Sequence, residues 1–269
     1  YACMRAGYRV TPINWHLTGD NAAYIVGNCE AKAFIGDYRC AQSAIDAVND
    51  NRNQLKVALA VAGELAGFDA YDTALAAEDE SNIDNPEIGG QMLYTSGTTG
   101  RPKGVYRQRA PEALPGATPA ATGSPASMAA AQTTAITLAA AAYNPDTDRV
   151  LCTGPAYHAA PLAFNIVVPL AAGVGTVLMD KWDPEETLRL VEKYHITHTH
   201  MVATMFHRLL ALPAETRQKY TTSQLRYVLH GAAPCPVHVK HAMMNWLGPV
   251  IYEYYAATEG GGGFFIGPQ

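Results

Sequence analysis

Short β-branched and apolar runs recur along the chain, separated by stretches whose apolar residues return every third or fourth position. Ala31–Ile35, Lys56–Val61, Met92–Thr95, Val150–Thr153, Gly175–Met179, Ile196–Val202, Leu225–Leu229 and Val250–Tyr254 have the length and composition of sheet strands. The clearest helix spans 184–194. Asp183 stands at its N-cap, Pro184 in its first turn, and Glu186 completes a capping-box pattern ahead of Leu188, Val191 and Tyr194. A second helix follows Thr18, with Ala22, Tyr24, Ile25 and Val26 supplying its buried face. Strands alternating with helices predict an α/β fold with largely parallel sheets.

Residues 106–125 break this rhythm. Pro111, Pro115, Pro119 and Pro125 lie among Ala, Gly, Thr and Ser, the composition of an exposed excursion, after which Ser124-Pro125 caps an Ala-rich helix. The 269 residues suffice for one large domain or two small ones, and 48% hydrophobic residues exclude a disordered chain. A net charge of −5 without a basic tract argues against nucleic-acid or anionic-membrane binding. The five cysteines never form C-x-x-C, so the pattern favours a reducing cytoplasm over a disulfide framework or structural zinc. No run is apolar enough to span a bilayer; Ala126–Ala142 lacks charge but is mostly Ala, Thr and Gln. The chain opens at Tyr1 inside a patterned segment and stops at Gln269 after a glycine run, which reads as an internal piece of a longer protein.

The strongest chemical signal is Tyr94-Thr95-Ser96-Gly97-Thr98-Thr99-Gly100-Arg101-Pro102-Lys103-Gly104-Val105, directly after an apolar strand. Its glycines allow close backbone approach, its hydroxyls donate hydrogen bonds, and Lys103 adds a positive charge, the set a polyphosphate needs. Pro102 stands where a Walker A loop has its second glycine, so this is not that motif. Taken on composition alone, the segment also fits a plain surface turn.

Residues 96–104 resemble the phosphate loop of the adenylate-forming enzymes, which include acyl-CoA synthetases, luciferases and peptide-synthetase adenylation domains. Four further stretches are similar, in the same order: Asn14–Thr18 with its following helix, Tyr157-His158-Ala159-Ala160-Pro161, Gly231-Ala232-Ala233-Pro234, and Tyr255-Ala256-Ala257-Thr258-Glu259, where Ala256 replaces the usual glycine. The resemblance implies the layered α/β fold of that family's N-terminal domain, incomplete at both ends, with residues 1–269 a partial ATP- and acyl-binding domain and the C-terminal lid absent.

It also implies roles. Thr95, Ser96, Gly97, Thr98, Thr99, Gly100 and Lys103 would bind the ATP phosphates. Gly231, Ala232, Ala233 and Tyr255 would bind adenine, and Tyr157 and His158 would border the acyl pocket. Lys103, Thr258 and Glu259 would be the catalytic residues, with Glu259 a hard oxygen ligand for Mg²⁺. Gly260, Gly261 and Gly262 would leave acyl space, although glycines also serve turns. The implied reaction joins a fatty or steroid-side-chain carboxylic acid to coenzyme A at the expense of ATP. Another acceptor, such as a carrier protein, and a truncated nucleotide-binding protein without turnover remain open. His195, His198, His200 and His207 invite a metal reading, but no carboxylate or cysteine joins them at ligand spacing, and none is expected.

Overall fold

The structure, a computed structural model, describes residues 2–84, 86–87, 89–95, 100–106, 141–258 and 263–268. The excursion beyond Tyr106 and the Ala-rich helix after Pro125 lie outside them. The chain forms two compact units, Tyr1–Ala110 and Pro111–Gln269.

The first unit holds two three-stranded sheets. One orders β1 (Arg9–Val10), β5 (Gly90–Thr95) and β6 (Lys103–Tyr106), with β1 parallel and β6 antiparallel to β5. The other is parallel throughout, β2 (Ala33–Asp37), β3 (Val57–Val61) and β4 (Asp69–Ala70). Among the described residues four α-helices accompany them: α1 (Ala2–Arg5), α2 (Gly19–Asn28), α3 (Ala41–Asp50) and α4 (Tyr71–Ala76). Small side chains let α2 and α3 approach closely, since Ala22, Ala23, Val26 and Ala47 form their shared core. The sequence placed Ala22, Ile25 and Val26 correctly as buried, while Tyr24 is half-buried.

The second unit is built on one six-stranded sheet, in the order β12 (Gly263–Ile266), β11 (Ile251–Ala256), β10 (Tyr227–Gly231), β9 (His198–Val202), β7 (Arg149–Cys152) and β8 (Gly175–Leu178). Every pairing is parallel except β11–β12. Among the described residues its helices are α5 (Val168–Ala171), which continues a π-helical stretch at Pro161–Val167, then α6 (Pro184–Lys193), α7 (Ala203–Leu210), α8 (Ala214–Lys219) and α9 (Val237–Leu247). All five residues of β10 are buried, as expected of a central strand covered on both faces. Leu151, Val191, Ile196, Phe206, Val228, Met243 and Ile251 make the core on one face. Tyr227, Leu229 and Tyr254 pack with Ala141 and Phe164 on the other.

All eight predicted strands exist, with ends moved by one or two residues. The differences have hydrogen-bonded causes. The amide of Ala31 bonds Val26 O, that of Ile196 bonds Val191 O, and that of Leu225 bonds Thr222 O, so these residues close helices or turns before their strands start. At α6, Asp183 Oδ1 accepts from the Glu186 amide at 2.9 Å as the cap predicts. The capping box is only half made, because both Glu186 carboxylate oxygens take Arg189 at 2.6 Å. The short strands β1, β4, β6 and β12 escaped the sequence pattern.

Candidate functional site

In the first unit the candidate phosphate loop rises from the β5–β6 hairpin. Thr95 and Lys103 are Cα partners across the antiparallel pair, so the loop closes between them and their side chains share one sheet face. Lys103, read from sequence as a loop residue, is therefore the first residue of β6, and its side chain is exposed. Ser96, Gly97, Thr98 and Thr99 lie outside the described residues. Gly100 has φ +151°, a conformation open to glycine and rare for other residues.

The hairpin is anchored from below. Tyr94 donates its hydroxyl to Asn28 Oδ1 at 2.5 Å, and burial pushes its pKa up to about 12. A Cβ on Gly104 would sit 2.2 Å from Met92 Cε and 3.0 Å from the Tyr94 ring, so a larger residue there would have to displace the flexible end of Met92. Arg101 lies over the Tyr24 ring at 4.9 Å, which ties the loop's cationic end to α2.

The second unit brings the two predicted adenine segments together. Gly231 ends β10, and Tyr255 lies near the end of the adjacent parallel strand β11, at the carboxyl edge where open α/β sheets bind ligands. A Cβ on Gly231 would fall 2.5 Å from the Tyr254 ring and 2.8 Å from Tyr254 O, so only glycine fits. Ala232 has φ +68°, a left-handed conformation for a residue with a side chain. Ala232, Ala233 and Tyr255 are exposed and open to a ligand, Tyr255 at 71%.

One sequence expectation is corrected here. The sequence pattern ends this strand at Tyr254. The strand instead runs through Ala256, because β12 pairs with it from Glu253↔Ile266 to Ala256↔Gly263. Gly263 is thus a strand residue, and the connection shrinks to 257–262. Thr258 is half-buried in that connection. Glu259, Gly260, Gly261 and Gly262 lie outside the described residues.

The Tyr157-His158 pair, ring centroids 4.8 Å apart, opens the π-helical stretch Pro161–Val167. Partial burial lowers the His158 pKa, favouring the neutral ring. Phe164 from this stretch meets Tyr254 edge-on at 5.3 Å, and Tyr254 OH lies 3.1 Å from His200 Nε2. Tyr254 therefore links the candidate acyl segment to the candidate adenine turn. Sequence reasoning missed it, although period-two alternation with Tyr252 was the available signal.

His198 and His200 do share one strand face, as predicted, but they are buried and engaged. His198 Nδ1 lies 2.7 Å from Thr197 Oγ1 and its Nε2 2.7 Å from Ala141 O. Burial drives His200 down to about 4, with His230 as the lesser cause. Among the described residues no group of three His, Cys, Asp or Glu side chains could hold a metal ion, and no described helix is long and apolar enough to cross a membrane.

The description of the AMP-binding enzymes matches residues 1–269, and the chain belongs to that family. It is 26% identical over 263 residues to an indoleacetate–CoA ligase of Aromatoleum aromaticum, covering 96% of this chain and 47% of that protein. It is 28% identical over 283 residues to a 3-[(3aS,4S,7aS)-7a-methyl-1,5-dioxo-octahydro-1H-inden-4-yl]propanoyl:CoA ligase of Mycobacterium tuberculosis, covering 97% and 50%. The amide bond synthetase McbA of Marinactinospora thermotolerans shares the fold, with TM-score 0.73 and 20% identity over 97% of this chain and 47% of that one. The chain spans about half the length of these relatives.

Proposed function

We propose that the full-length protein is an ATP-dependent acyl-CoA synthetase acting on a fatty or steroid-side-chain carboxylic acid. The observation that carries this is the Thr95–Lys103 hairpin base, which sets an exposed cation beside a loop of hydroxyls and glycines. The acid's carboxylate oxygen attacks the α-phosphorus of ATP, the bond to pyrophosphate breaks, and an acyl-adenylate forms. The sulfur of coenzyme A then attacks the acyl carbonyl and AMP leaves. Lys103 neutralises charge on the polyphosphate, and such transfers depend mostly on positioning and charge stabilisation. Gly231–Ala233 and Tyr255 hold the base. Glu259 would supply a hard oxygen ligand to the Mg²⁺ that accompanies ATP, and the Thr258 hydroxyl would hydrogen-bond a phosphate. Two relatives named as CoA ligases of ring-bearing acids, and a fatty-acid–CoA ligase of Mycobacterium tuberculosis 32% identical over 170 residues, support the acid and acceptor classes.

The full-length protein should exchange labelled pyrophosphate into ATP only when a carboxylic acid is present, and acid-independent hydrolysis without exchange would refute adenylation. Lys103→Ala should raise the ATP requirement roughly ten- to a hundredfold, the loss of one charged hydrogen bond of about 1.5–3 kcal/mol. Gly261→Leu tests the acyl assignment: kcat/KM should fall for long and ring-bearing acids and hold for short ones, whereas equal losses across all three would remove it.

A further inference from the structure

The connection between β10 and α9, which contains the candidate adenine turn, is bound at both ends by one chain of ionisable groups. His230 immediately precedes Gly231. It is fully buried, and among the described residues neither ring nitrogen has a hydrogen-bond partner. Its Nε2 lies 3.6 Å from Glu253 Oε2, and Phe206 meets the ring edge-on at 5.1 Å. Glu253 is the Cα partner of His230 on β11 and stands two residues before Tyr255. Lys240, in the first turns of α9 beyond the connection, donates to that same Glu253 oxygen at 2.6 Å.

This chain of contacts spans the turn. Lys240 reaches Glu253 from the side after it, and His230 from the side before it. Between the anchors, Ala232 holds its left-handed φ of +68°, a conformation that persists only where surrounding structure enforces it. We propose that Lys240, Glu253 and His230 form a positioning clamp that keeps Gly231–Ala233 and Tyr255 in register to receive the adenine of ATP. The clamp rests on the ATP-binding reading of those segments. Lys240 and His230 act through Glu253 and the backbone and are positioning residues. A neutral imidazole always carries one N–H, and Glu253 Oε2, 3.6 Å from His230 Nε2, is the acceptor that faces it. Burial keeps that ring neutral, with a pKa of about 4, against the opposing pull of Glu253.

The test uses the full-length enzyme with Lys240→Gln, and Lys240→Arg as the conservative rescue. Lys240 is only partly buried, so the charge can be removed without opening the core. Lys240→Gln should raise the ATP KM about tenfold, the loss of one charged hydrogen bond. The KM values for acid and for pyrophosphate in the reverse exchange should hold within about twofold, since the segments proposed to bind them do not include this turn. Lys240→Arg should restore most of the ATP affinity. An unchanged ATP KM, or ATP, acid and pyrophosphate KM rising together, would overturn the clamp whatever happens to the melting temperature. Wild-type enzyme without acid-dependent exchange would remove the adenylation reading and the clamp with it. Wild-type exchange with an unaltered variant ATP KM removes the clamp alone.

Discussion

The two units carry their candidate nucleotide-binding segments on different foundations. In the second unit the adenine segments extend from β10 and β11, with β10 buried throughout and backed by a core that includes Phe206, Met243 and Ile251. In the first unit the phosphate hairpin belongs to a three-stranded sheet, and β6 is exposed along most of its length. Its neighbouring sheet is half-exposed too, with Ile35 at 54%. The difference suits the role proposed for each segment. A charged, strongly hydrated polyphosphate needs an exposed cation, whereas a base needs a turn and a ring held at fixed spacing. Thinly packed elements open at lower free energy than buried strands, so the phosphate side is the easier of the two to open and close.

The comparison can be broken most sharply at the foundations. Phe206→Ala removes a fully buried ring beneath β10 and should lower unfolding free energy by about 3–5 kcal/mol. Ile35→Ala on the exposed strand should stay within about 0.5 kcal/mol. Equal costs in denaturant titrations would erase the contrast between the units.

The two crossing glycines sharpen it next. Gly231→Ala drives a methyl onto the Tyr254 backbone oxygen, which cannot yield, whereas the closest atom facing Gly104 is the mobile Met92 methyl. Gly231→Ala should therefore cost about 1–3 kcal/mol and raise the ATP KM, with Gly104→Ala milder in both. A larger loss from Gly104→Ala would show the hairpin to be the more rigid element.

The smallest effect concerns acid stability. Asp148 is buried beside β7, accepting from the Asn144 amide at 2.6 Å and from Arg226 at 2.5 Å. Burial alone raises its pKa, but those hydrogen bonds, with His198 and the Arg226 charge, outweigh it and leave the pKa below the usual carboxylate value. A depressed folded pKa means the stabilisation is complete above the unfolded value of about 3.9 and is lost as pH falls through the lower, folded one. Asp148→Asn should flatten that part of the acid-unfolding curve and cost roughly 1 kcal/mol near neutrality, since Arg226 is 48% exposed and solvent screens it. An unchanged acid limb would show that another carboxylate governs it.

The sequence by itself determined eight of the twelve described strands and the α6 cap at Asp183, and it marked the candidate phosphate and adenine segments. Each rests on local chemistry: apolar runs too short for helices, a side-chain oxygen ahead of a proline, and glycines grouped with hydroxyls and a lysine. Only the tertiary structure decided that Lys103 belongs to a strand, that β11 runs through Ala256, and that Tyr254 joins the π-helical segment to Gly231. It alone placed His230, Glu253 and Lys240 in one chain of contacts. The physical reason is common to all four. A strand's end is set by the partner that supplies its hydrogen bonds, and β6 and β12 carry too few apolar residues to announce themselves. Contacts between residues 10 to 90 positions apart depend on register and close approach, which no local pattern along the chain encodes.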